Sequence, residues 1–131
     1  MLQAARTPIR RKGRLLMNPY TVHRLWSWFP AHGITFGRHV FMRDPASTLT
    51  LAHELVHVRQ QAEHPVWFWV SYTLLAPLFW NPFRRDWEAE AYAVQVRAGY
   101  TVESVALVMA GPLYGWCCRP KAAEEAVRRF L

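Results

Sequence analysis

Apolar and polar residues change period several times along the chain, and each change predicts an element. Ile34-Thr35-Phe36 and Val40-Phe41-Met42 flank Gly37-Arg38-His39, two brief strands about a turn. After Asp44-Pro45, Ser47 is placed to cap a helix from about Thr48 to Ala62, where Leu51, Leu55, Val58 and Ala62 recur on one side and face a core. His53 and His57 project away from that stripe with Leu49, Ala52 and Val56 beside them, so the helix is apolar on two sides yet carries polar groups. Pro65 to Trp80 is the most apolar segment. It is shorter than the roughly 20 residues of a membrane span and contains Ser71, Tyr72, Thr73 and Pro77, so a core helix is expected. Asn81-Pro82 starts the next helix, which runs to about Ala98 before Gly99, with Trp87, Ala91, Val94 and Ala98 as its core stripe. Thr101 caps a helix to about Ala110, Gly111-Pro112 breaks it, and Pro120 opens a last amphipathic helix through Val127 to Phe130. The expected fold class is α+β, mainly helical, with a small β-hairpin or sheet preceding the helix at 48–62.

Composition narrows the class. The 131 residues are 52% apolar, enough for one core, so a single domain over 18–131 is expected behind a basic arm at 1–17. Cys117 and Cys118 are adjacent and poorly disposed to bridge each other, which points to a reducing, cytoplasmic setting. The net charge is +7. Arg6, Arg10, Arg11, Lys12 and Arg14 crowd a stretch without an acid, read as a solvated, disordered arm. Leu15, Leu16 and Met17 are too few for the apolar part of a secretory signal, and Met17 is itself an alternative start. Charge without a nucleic-acid reading motif argues against a nucleic-acid partner. Trp and Phe suit a lipid headgroup boundary and Arg84 and Arg85 follow them, so peripheral membrane contact through 65–85 is the second reading of that segment.

The chemistry centres on His53-Glu54-Leu55-Val56-His57. Two histidines four residues apart on a helix lie one turn above each other, about 5 to 6 Å between Cβ atoms, so both rings reach one ion at roughly 2 Å. Glu54 is rotated about 100° from His53, beside such an ion without ligating it, where a general base belongs. Zinc with three protein ligands lowers the pKa of its water from about 15.7 toward 7, leaving a carboxylate to complete the deprotonation. The third ligand is open to comparison. A metzincin would carry Gly at position 60 and His at 63, whereas this chain has Gln60 and Glu63, with His64 one position late. The helix after Pro82 offers Asp86, Glu88 and Glu90, and periodicity does not choose between Glu88 and Glu90.

Through His53-Glu54-Leu55-Val56-His57 followed by Trp87-Glu88-Ala89-Glu90-Ala91-Tyr92, the chain resembles the gluzincin group of zinc metallopeptidases, especially the very small minigluzincins. The likeness covers roughly Gly33 to Gly99. It implies a minimal zincin-like metallopeptidase fold and one Zn2+ per chain held by His53, His57 and Glu88. Glu88 is then the first acid of a Glu-x-x-Ala pattern completed by Ala91. Glu54 is the implied catalytic residue, activating a zinc-bound water to hydrolyse a peptide or protein substrate. Many such families carry Asp four residues after the ligand Glu to orient the first histidine; this chain has Tyr92, which can donate a hydrogen bond instead. The resemblance also implies an edge strand that binds extended substrate, either Val40-Phe41-Met42 or the strand before it.

The competing expectation is a catalytically silent zincin-like module that binds a protein, membrane or nucleic-acid partner. Glu54 speaks against it, because a structural zinc site needs no acid at an open face. A thiolate of Cys117 or Cys118 filling the open zinc position would hold the enzyme latent, but an incidental or structural cysteine pair is the simpler expectation. His23, His32, His39 and His64 have no partner at ligand spacing and are expected at the surface or in hydrogen bonds.

Overall fold

The computed structural model describes residues 3–11 and 14–131. It is α+β, and its backbone divides into two compact units, residues 1–66 and 67–131.

The first unit is a four-stranded sheet and one helix. Strands β1 (Gln3–Arg11), β2 (Arg14–Arg24), β3 (Gly33–Phe36) and β4 (His39–Met42) lie in the order β1-β2-β4-β3. β1 and β2 form an antiparallel hairpin, β2 and β4 run parallel from Thr21↔His39 to Arg24↔Met42, and β3 and β4 form a second hairpin with Phe36↔His39 as its last pair. Gly37 has φ 59° at the first position of that two-residue turn, a conformation that suits glycine. The basic stretch, read from its charge as a solvated arm, supplies β1 and the start of β2 instead; of its cations Lys12 lies outside the described residues. The alternation of Thr7 and Ile9, both buried, with exposed Arg6, Pro8 and Arg10 is a strand period that the run of charges obscured.

Helix α1 (Thr48–Glu63) starts at Ser47, whose hydroxyl accepts from Thr50 N at 3.3 Å. Leu51, Leu55 and Val58 pack on Tyr20, Val22, Val40 and Met42 of the sheet, so the apolar stripe finds its core. His23 Nε2 of β2 and His39 Nδ1 of β4 lie 3.0 Å apart, and beside the β3–β4 hairpin Arg43 donates to His32 at 2.7 Å.

The second unit is helical, with α2 (Trp67–Trp69), α3 (Pro82–Arg97), α4 (Val102–Met109) and α5 (Pro120–Arg128). Its core is Ala89, Tyr92 and Ala93 of α3 against Val102, Val105, Ala106 and Met109 of α4 and Ala123, Ala126 and Val127 of α5. This corrects the expected α3 stripe in part: Ala91 is fully buried, but Ala98 is exposed and Trp87 and Val94 are only partly buried, while Ala89 and Ala93, outside that stripe, are fully enclosed. Alanines occur on several faces of α3, so side-chain pattern alone did not single out the face that meets α4 and α5.

The segment 65–80 also departs from expectation. α2 continues only into a π-helical turn, Val70–Leu74, and residues 75–80 leave the helix with Leu75, Leu78, Phe79 and Trp80 exposed. Carbonyls set free by the unwinding are taken by two side chains from the start of α3. Asn81 Nδ2 donates to Ser71 O and Ala76 O at 3.0 Å each, while its Oδ1 accepts from Arg84 N at 2.9 Å. The buried Arg84 guanidinium donates to Tyr72 O, to Pro77 O at 3.1 Å and to Tyr114 O at 3.0 Å. The segment is therefore fixed by polar bonds where helix packing was expected. No helix among the described residues is long and apolar enough to cross a membrane.

Candidate metal centre

In the first unit the histidine pair comes from a single turn of α1. Both rings are buried. His53 Nε2 and His57 Nε2 lie 3.2 Å apart, with ring centroids 5.0 Å apart and planes at 74°. The i, i+4 spacing superposes the two side chains and brings the two Nε2 atoms close enough to share one ion. His57 Nδ1 lies 2.8 Å from Gln60 Oε1. With the amide oxygen as acceptor, Nδ1 carries the proton and Nε2 keeps its lone pair, which is the tautomer a metal requires.

Glu54 is buried on the adjacent face, against β3. Thr35 Oγ1 donates to Glu54 Oε2 at 2.7 Å and lies 3.3 Å from Glu54 O. Gly33 makes room for this carboxylate: a Cβ there would sit 2.7 Å from Glu54 Oε1, closer than such atoms pack. Gln61 then ties α1 to the β3–β4 turn, donating from Nε2 to Thr35 O at 2.9 Å and accepting from Gly37 N at 2.5 Å. A carboxylate held this way has its rotamer fixed from outside its own helix.

Sequence reasoning missed Gly33, Thr35, Gln60 and Gln61. Gln60 was within reach of it, because position i+3 from His57 shares that residue's face. Thr35 and Gly33 carried no local signal, since they come from a strand nineteen or more residues before Glu54.

Strand order settles one open alternative. β4 is paired on both sides, with β2 and β3, so Val40-Phe41-Met42 has no free edge and is excluded as a site of strand addition. β3 lies at the end of the sheet, and its buried Thr35 touches Glu54.

In the second unit, Glu88 and Glu90 differ in setting. Glu88 is 2% exposed and accepts a hydrogen bond from the Tyr72 hydroxyl, whereas Glu90 is only partly buried. Tyr92, considered for orienting a histidine, has its hydroxyl 2.8 Å from that of Tyr114. Burial first, and then the negative charge of Glu88, hold the Tyr114 phenol well above its ordinary pKa, so it stays neutral. Asp86 is engaged by Arg85 at 2.7 Å and Arg129 at 2.9 Å at the surface and is a poor ligand candidate.

Cys117 is buried with its Sγ 3.6 Å from Met109 O, and Cys118 is half-buried. The hydrogen bond between the thiols, followed by burial, pushes Cys117 up; the same bond and the nearby Arg85 bring Cys118 down. Among the described residues, neither cysteine belongs to a group of three or more ligand-type side chains.

Compared with known proteins, residues 20–65 match a family model described as the eCIS core domain. That stretch, less than half of the chain, begins in β2 and ends just beyond α1, so it contains His53, Glu54 and His57. No curated protein and no solved structure matches the chain.

Proposed function

We propose that the chain is a zinc-dependent hydrolase of peptide bonds. His53, His57 and Glu88 are its metal ligands and Glu54 its general base. The observation that carries the proposal is the 3.2 Å separation of His53 Nε2 and His57 Nε2 inside a buried setting. Two imidazole nitrogens at about 2.05 Å from one tetrahedral ion stand about 3.3 Å apart, so the pair fits zinc without rearrangement. His53, His57 and Glu88 are all buried, and as a donor set they could hold a metal ion. Two neutral imidazoles and one carboxylate are the ligands found on mononuclear hydrolytic zinc, where a fourth position stays open.

A zinc ion held there would act as a Lewis acid toward a carbonyl oxygen and acidify a water molecule. The chain's own residues supply the rest. Gln60 fixes the His57 tautomer, and Thr35 and the space over Gly33 hold the Glu54 carboxylate in one orientation. Glu54 accepts the proton of the attacking water and returns it to the leaving amine, a role that needs an acid that is positioned but not coordinating. β3, at the end of the sheet and adjacent to Glu54, is the strand suited to align an extended substrate backbone by strand addition.

Elemental analysis of protein purified without chelator tests the metal, with near one zinc per chain expected and a metal-free preparation overturning the assignment. Glu88→Ala is expected to lose zinc affinity far more than Glu90→Ala, and the opposite order would move the third ligand to position 90. A protein that binds zinc but cleaves no member of a broad peptide library would favour the silent binding module.

A further inference from the structure

The second unit presents an apolar surface that the proposed hydrolase has no use for. Leu74, Leu75, Leu78, Phe79, Trp80 and Trp116 are each more than half exposed. Two of them are presented by uncommon backbone conformations. Phe79 has φ 62° and Trp116 φ 53°, a left-handed region that bulky side chains rarely occupy. The two segments are joined by backbone hydrogen bonds, Phe79 N to Gly115 O at 2.6 Å and Asn81 N to Cys117 O at 2.8 Å. The Phe79 and Trp116 rings consequently stack, with centroids 6.2 Å apart and planes at 21°, while both remain in solvent. Asn81 and Arg84 fix the backbone beneath them. This rim is rigidly held outward.

Charge says what it meets. No acidic residue occurs from Pro65 to Arg85 or from Gly111 to Ala123, the two segments that build the rim. Arg119 and Lys121, both exposed, lie three and five positions after Trp116. The other nearby cations are occupied: Arg84 is buried on carbonyls, and Arg85 pairs with Asp86. We propose that this rim docks on an anionic lipid surface, with Leu78, Phe79, Trp80 and Trp116 at the boundary between headgroups and acyl chains and Arg119 and Lys121 on the lipid phosphates. Exposed Trp with acid-free basic flanks is the composition that partitions to that boundary. A second copy is a poorer occupant, because a symmetric contact sets Arg119 and Lys121 of each copy against one another with no acid in the rim to pair them. With no spanning helix among the described residues, attachment through this rim is peripheral.

The test is co-sedimentation of the full chain with vesicles of phosphatidylcholine alone and of phosphatidylcholine mixed with phosphatidylserine. The protein is expected to pellet with the mixed vesicles, less as salt rises, and far less with phosphatidylcholine alone. Phe79→Asn with Trp116→Asn keeps residues that tolerate positive φ and is expected to weaken binding by about tenfold or more. Arg119→Glu with Lys121→Glu, a surface change that leaves the rim's packing intact, is expected to weaken it by about tenfold or more as well. Trp26→Ser with Trp28→Ser removes an exposed stacked pair from the first unit and is expected to leave binding unchanged. Protein that stays in the supernatant with mixed vesicles overturns the proposal, as does full binding by either rim variant while its circular dichroism remains native. Concentration-dependent dimers in sedimentation velocity that vanish in Phe79→Asn with Trp116→Asn, without vesicle binding by the native chain, would replace the lipid with a second copy.

Discussion

Helix α1 and the α4–α5 pair are both buried, but they bury different chemistry. α1 encloses seven side chains, of which His53, Glu54, His57, Gln60 and Gln61 are polar, whereas α4 and α5 enclose only Val102, Val105, Ala106, Met109, Ala123, Ala126 and Val127. Apolar burial stabilises at about 25 cal/mol per Å2, while a buried polar group costs about 1 to 3 kcal/mol unless it is hydrogen-bonded. The α4–α5 pair follows the rule for stability. Helix α1 departs from it on one face, and the departures form a set: Thr35 serves Glu54, Gln60 serves His57, and Gln61 ties down the strand that carries Thr35. Under the proposed assignment, such a face is a site kept for chemistry at the expense of stability.

The sharpest way to break this comparison is Glu54→Gln. Under the proposed assignment, peptidase turnover falls by about 100-fold or more while zinc content and melting temperature change little; retained turnover in a metal-loaded variant would remove Glu54 from the chemistry. Met109→Ala probes the opposite pole. It opens a cavity in a fully enclosed apolar core and should cost about 2 to 5 kcal/mol in urea unfolding. Zinc per folded chain should be unaffected, and a parallel loss of zinc would mean that site and core are not separable.

Smaller effects sharpen the account of Glu54. Thr35→Val removes its hydrogen-bond donor at nearly constant volume, worth about 1 to 3 kcal/mol, and should reduce kcat by about tenfold. Gly33→Ala pushes a methyl group onto Oε1 and should do similar damage through displacement; unchanged kinetics in both variants would show that the carboxylate needs no external support. The smallest expected effect concerns the cysteines. Cys118 is depressed, so its thiolate forms at lower pH than an ordinary thiol, and its alkylation by iodoacetamide should rise and level off earlier as pH increases. Buried Cys117 is shifted the other way and should stay unmodified, which peptide mass mapping reads directly.

Much of this was legible from the chain alone, and the pattern of success has a physical cause. Ser47, Asn81 and Thr101 cap the helices they were expected to cap, because a cap is a contact between residues three positions apart. The β3–β4 hairpin was legible for the same reason, its turn being two residues long. The segment 65–80 was misjudged because its hydrophobicity resembles a core helix, while its course is set by Asn81 and Arg84 capturing carbonyls up to twelve residues away. The basic stretch was misjudged because charge outweighed a strand period that becomes decisive only when β2 lies beside it.

The sequence by itself determined the histidine pair and the acid beside it, since the pitch of a helix converts their spacing into geometry. Tertiary structure alone decided that β4 is interior and β3 terminal, that Glu88 is enclosed while Glu90 is only partly so, and that Thr35 holds Glu54. Each of these depends on which distant segments meet, and the free energy of that meeting is spread over a whole core, so no short stretch of residues carries it.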